Sequence, residues 1–175
     1  ATPMTYNSST TTQTITSTIN PPAVNGQIIG VQVLMTGTLS PVNMTSITFN
    51  TNGSTNAATD ISNARLWYTG TTNAFATTTQ FGSTSISPNG SFTINSTLQL
   101  AQGSNYFWLT YDVPGTATSG NVLDAECTAL TVAAVVQTPT VTAPAGNRLI
   151  GGSLLSGNFT IPGSYATIAA AIAEI

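Results

Sequence analysis

What most limits this chain is the spacing of its apolar residues, which recur at every second position in short runs closed by Gly, Pro or Asn. Residues at alternate positions share one side of a β-strand, so each run builds a strand with one buried face. The runs fall at 11–18, 27–36, 44–51, 64–70, 91–100, 105–113, 122–136 and 147–152. Turn signals separate them, among them Asn52-Gly53, "SPNG" and Pro114-Gly115. Gly30 marks a candidate bulge in the second run. "QTPTVTAPAG" at 137–146 reads as a connector. Without helices between the runs, this spacing predicts an all-β fold: an antiparallel Ig-like or jelly-roll-type β-sandwich of about eight strands over residues 1–150.

Residues 151–175 differ. Gly151-Gly152 and Ser156-Gly157 form a linker, and "YATIAAAIAEI" has a helical period. Ser164 suits an N-cap, and Ile168, Ile172 and Ile175 line one stripe of a short helix. So short a helix is marginal alone and requires a surface to dock on. The expectation is a linker and short C-terminal helix at which another domain begins or docks.

Composition removes several functions. The hydrophobic fraction is 41% and the charged fraction 4%, against about a quarter in ordinary proteins. No run is long and apolar enough to span a membrane, and the apolar content is too high for disorder. Arg65 and Arg148 are the only cations, so no basic patch exists for nucleic acid or anionic lipid. The chain has no His and no Lys. Nucleophilic machinery built on either residue is therefore absent from it, and one Cys with no His cannot make a zinc site. Cys127 lies in step with Leu123, Ala125 and Ala129 and reads as a small buried apolar residue. Six Asn-x-Ser/Thr sequons occur, about as many as the Ser, Thr and Asn content gives by chance.

Three features carry candidate functions. Asp124 and Glu126, two apart on one strand face, are candidate calcium ligands, alternatively a solvent-facing pair. Trp67, Tyr106 and Trp108 are candidate glycan contacts. Tyr106 and Trp108 oppose Phe107, Leu109 and Tyr111 on their strand, and Arg65 and Trp67 oppose Leu66 and Tyr68 on theirs. Core packing explains the same aromatics without a ligand. Lastly, few charges are available to guard open sheet edges, so residues 1–20 either pair at home or extend to a neighbour.

"LSPVNMTSITFNTNGSTNAATDISNARLWYTG" and "LQLAQGSNYFWLTYDVPGTATSGNVLDAEC", with the closing "AGNRLI", resemble a module found N-terminal to BNR-repeat neuraminidases. The same module occurs in other large secreted proteins of Bacteroidetes-type bacteria. The resemblance spans about residues 10–150. It implies an exported β-sandwich accessory domain carried on a secreted or cell-surface protein, with no catalytic residues to transfer. The Asp-box propeller and arginine triad of a sialidase are absent from the sequence, so sialidase activity is not implied. "FTIPGSYATIAAAIAEI" resembles the opening coil of right-handed β-helix domains. The expected function is a non-catalytic extracellular structural or adhesive module. Its partners are neighbouring domains, copies of itself meeting through β-edges, or surface glycans. The alternatives are a fibre subunit joined by β-strand addition and a glycan-binding module.

Overall fold

The computed structural model describes residues 1–152 together with Thr167, Ala169 and Ala170. Within residues 1–152 eleven strands and one short helix follow in order: β1 (Thr5–Thr12), β2 (Ala23–Thr36), β3 (Asn43–Asn50), α1 (Ala57–Asp60), β4 (Asn63–Tyr68), β5 (Gln80–Ile86), β6 (Ser91–Gln99), β7 (Gly103–Val113), β8 (Val122–Leu123), β9 (Glu126–Val132), β10 (Val135–Gln137) and β11 (Arg148–Leu149). One sheet runs β1-β2-β7-β4-β5 and a second β10-β9-β3-β6, with β11-β8 as a small pair. Every strand pairing is antiparallel. The chain changes sheet repeatedly, which stacks the two sheets as a sandwich.

The alternation sorts side chains as the sequence predicts. Phe107, Leu109 and Tyr111 of β7 and Leu66 of β4 are fully buried against Ile47 and Phe49 of β3, Leu130 of β9 and Ile94 of β6. Trp108, Thr110 and Arg65 lie on the opposite, outer face of the first sheet. Among the described residues no buried side-chain polar atom lacks a partner. Buried Asp60 accepts the Thr118 N–H at 3.0 Å and the Asn121 amide at 2.7 Å, tying α1 to the β7–β8 loop. Arg148 donates to the carbonyls of Ser17, Gln27 and Thr18, pinning the β1–β2 connection to β11.

Four expectations change in detail. The predicted strand at 122–136 is three pieces: it breaks at Asp124-Ala125, and again where Ala133 and Ala134 take φ of 51° and 61° and form a tight hairpin turn between Val132 and Val135. The first strand lies at Thr5–Thr12 rather than 11–18. Gly30 is regular; the register shifts of β2 against β7 fall between Ala23 and Gly26 and between Gln27 and Ile29. β5 was not foreseen. In the tail, Ala169 and Ala170 are helical, and the Thr167 hydroxyl accepts the Ala170 N–H at 3.1 Å. Ser164, Ile168, Ile172 and Ile175 lie outside the described residues.

The sandwich has two seams. Along the first, residues 135–142 pass between β9 and β1. Val135, Val136 and Gln137 pair with Val132, Thr131 and Leu130. Thr140 N–H then donates to Ser9 O at 2.8 Å, Thr11 N–H to Val141 O at 3.1 Å, and Cys127 N–H to Thr142 O at 2.9 Å. Ser9 and Thr11 of β1 are therefore bonded within the chain on the side away from β2, so the second half of that edge is occupied. Along the second seam β5 and β6 lie side by side, and no backbone hydrogen bond joins them among the described residues. Gly82 sits there with φ of 71°, so close to the Asn95 carbonyl that a Cβ would collide with it.

Candidate functional site

The outer face of the first sheet brings the three predicted aromatics together. Trp67 and Trp108 are cross-strand partners in β4 and β7, and Tyr106 is two residues along β7. Both tryptophans are covered, at 8% and 5% exposure, so neither presents an open ring. Each indole N–H is satisfied locally: Trp67 donates to the Thr110 hydroxyl and Trp108 to the Thr69 hydroxyl, both at 2.9 Å. Only Tyr106 remains half-buried at a rim, beside Gln32, Thr12 and Asn73. The Gln32 amide donates to the Ser104 hydroxyl at 2.8 Å, its Nε2 lying 3.5 Å from the Tyr106 hydroxyl.

The cover over Trp108 is the β4–β5 loop, residues 69–79. Its first turn is held by Thr72 N–H to Thr69 O, by the Thr69 hydroxyl to Thr72 O at 2.8 Å, and by two backbone bonds between Thr69, Gly70 and Tyr106. Phe75 at its crown stands edge-on to Trp108, with ring centroids 6.2 Å apart. On the other side this loop roofs a groove of about 570 Å³ that reaches the second seam at Leu98 of β6. Ligand pockets usually span ~300–1,000 Å³. Its walls are Tyr68 and Phe75, Leu98, two alanines and a fringe of threonine hydroxyls, with no charged residue. Tyr68 is fixed by donating to Asn105 Oδ1 at 2.8 Å and stacks at 4.9 Å from Phe107; burial raises its pKa above the ordinary value. The sequence reading missed this groove. The signal available was the long aperiodic "TGTTNAFATTTQ" between two strands.

The acids do not gather. Asp124 lies between β8 and β9, where its carboxylate accepts the Ala125 N–H at 2.7 Å. With the Gln13 amide turned to suit its neighbours, that amide also donates to Asp124 Oδ1 at 3.1 Å. Burial raises the Asp124 pKa, against the Ala125 N–H and reinforced by the Glu126 charge. Asp60 is spent on Thr118 and Asn121, and Asp112 on Arg65. Among the described residues no group of three acidic, His or Cys side chains is placed to hold a metal ion, so the candidate calcium ligands Asp124 and Glu126 gain no third acid, while calcium takes about six to eight oxygens.

Both cations are committed. Arg65 contacts both Asp112 oxygens at 2.7 Å and Asn25 Oδ1 at 2.8 Å. Burial works against the Asp112 carboxylate, but the Asn25 N–H, the Asn63 amide and Arg65 together hold its pKa below the ordinary carboxylate value. Arg148, its own pKa lowered by burial, is spent on carbonyls. Cys127 is buried, and burial pushes its thiol up to about 12 despite the Ala129 contact, so it is not a nucleophile at neutral pH.

These features define an antiparallel β-sandwich with an uncharged groove that reaches one seam, and with Arg65, Arg148, Asp60 and Asp112 turned to structural use. No family model matches the chain, and no curated protein matches it. Among solved structures, the Hadza microbial sialidase Hz136 is similar in fold, with a TM-score of 0.60 and 14% sequence identity. The match covers 76% of this chain and 29% of that one, so this chain spans under a third of the sialidase's length.

Proposed function

We propose that this chain is a non-catalytic accessory β-sandwich, structural or adhesive in role, belonging to a larger secreted or cell-surface bacterial protein. The observation that carries the reading is the proportion of the structural likeness: most of this chain corresponds in fold to a minor part of a much longer sialidase. The sequence resemblance to a module beside BNR-repeat neuraminidases points the same way. The commitment of both arginines to internal partners supports a role without catalysis, since a carboxylate-bearing substrate finds no free guanidinium among the described residues.

A fluorogenic sialoside incubated with the purified chain tests the catalytic half; the expected outcome is no release above buffer. Turnover proportional to protein and lost in Arg65→Met would overturn the reading. Surface proteomics of the source cells tests the other half. Peptides of this chain are expected in the secreted or surface fraction, and confinement to the cytosol would sink it.

A further inference from the structure

We propose that the groove roofed by residues 69–79 is a binding site for a neutral sugar, seated between Phe75 and Tyr68 and hydrogen-bonded by the Thr72, Thr78 and Thr79 hydroxyls. This goes beyond the accessory-module reading and does not depend on it. Four observations converge on that ligand class.

The first is size: about 570 Å³ lies within the range that holds small molecules. The second is the lining. A sugar ring has a face of C–H groups and an edge of hydroxyls; the groove offers aromatic and aliphatic walls beside a hydroxyl fringe. An entirely apolar ligand would strip water from those threonines without replacing its hydrogen bonds. The third is charge. No lining residue is ionised, and Arg65 and Arg148 are spent elsewhere, so the groove offers a sialylated or phosphorylated ligand no cation to pair its charge. The fourth is preorganisation. Phe75 is only 37% exposed and rests edge-on against Trp108, whose indole N–H is locked on Thr69. Thr69 in turn holds the first turn of the roof, so little ordering remains for a ligand to impose. In this arrangement Trp108 is the foundation beneath the contact aromatic and is not itself the platform.

The test is an amide-resolved NMR titration of the intact chain with lactose, maltose, cellobiose and mannobiose, and with sialyllactose as the charged counterpart of lactose. At least one neutral disaccharide is expected to shift the Thr72, Phe75, Thr78 and Leu98 signals saturably, with sialyllactose binding no tighter than lactose. Phe75→Ala is expected to weaken binding about tenfold, equivalent to ~1.4 kcal/mol, with core-strand signals unmoved. Should Phe75→Ala disturb the fold, exposed Thr78→Val gives the same reading through loss of one hydroxyl. Silence from all four neutral sugars, shifts confined to another surface, or tighter binding of sialyllactose would each overturn the proposal. Sialoside turnover, which overturns the accessory reading, leaves these signals to be judged separately.

Discussion

Along one seam of this sandwich, residues 135–142 thread between β9 and β1 and bond to both; along the other, β5 and β6 only touch, with Gly82 pressed on the Asn95 carbonyl. The bonded seam closes the β1 edge with the chain's own backbone, protection that other β-proteins obtain from lysines this chain lacks. The unbonded seam leaves β5 and β6 without a shared ladder, and the groove under the 69–79 loop reaches it at Leu98. A sheet edge in this molecule is either sealed by hydrogen bonds or held apart by packing; a polar recess of about 310 Å³ lies beside Ser9 and Thr140 at the first kind, and the larger groove reaches the second at Leu98.

The largest expected effect is at the unbonded seam. Gly82→Val must place a Cβ into the Asn95 carbonyl and hold a β-branched residue at positive φ. A loss of about 3 kcal/mol is expected from urea unfolding; a loss below about 1 kcal/mol would mean the strands separate easily. Next comes the bonded seam. Thr140→Pro removes the N–H and the hydroxyl that both reach Ser9 O, at 2.8 and 3.0 Å. The expected cost is about 1–2 kcal/mol. It should also bring more concentration-dependent association in sedimentation than the parent chain, because β1 then presents a free edge. Equal sedimentation of the two would show that the seal has no such role.

Smaller effects separate the acids. Asp112 lies two strands in from the unbonded seam, with its folded-state pKa lowered. Its stabilising contribution is complete above the unfolded value of about 3.9 and is lost as pH falls through the folded value. Asp124, against Gln13 beyond the end of β1, has its pKa raised. Its contribution is therefore present in acid and is lost as pH rises through the folded value. Asp112→Asn should lower Tm at neutral pH with the deficit shrinking in acid. Asp124→Asn should raise Tm at neutral pH, an advantage that fades in acid; parallel profiles for the two variants would refute the assignment. The smallest effect is no reaction at all. Cys127 should resist alkylation in the folded parent at neutral pH, yet react measurably in Thr140→Pro, because its own N–H is part of that seam. Equal protection in both would show the seam stays shut.

How far the sequence reveals this depends on where one face is apolar. β7 reads without ambiguity because Phe107, Leu109 and Tyr111 alternate with polar or aromatic neighbours. β5 does not, since Phe81 is its one fully buried side chain and Gly82 interrupts it. Register was illegible at the N-terminus for a related reason: a run of Thr and Ser alternates equally well in any frame. Ala133-Ala134 hid its turn because alanine rarely takes positive φ, a conformation asparagine and glycine usually announce. The faces of Trp67 and Trp108 were legible and the cover over Trp108 was not. That cover comes from a loop with no period, and Thr69, Thr72 and Phe75 acquire meaning only once folded over Trp108.

Gly30 carries a consequence for the roof of the groove. It lies beneath the Trp108 ring, where a Cβ would fall 2.9 Å from Cζ3. The ring thus lies between an absent side chain below and the edge-on Phe75 above. Alanine at Gly30 requires the indole to shift, and a shifted indole moves the support under Phe75. A change at Gly30 is thus felt on the far side of the sheet's outer layer, because the ring it displaces is the one that carries the roof of the groove.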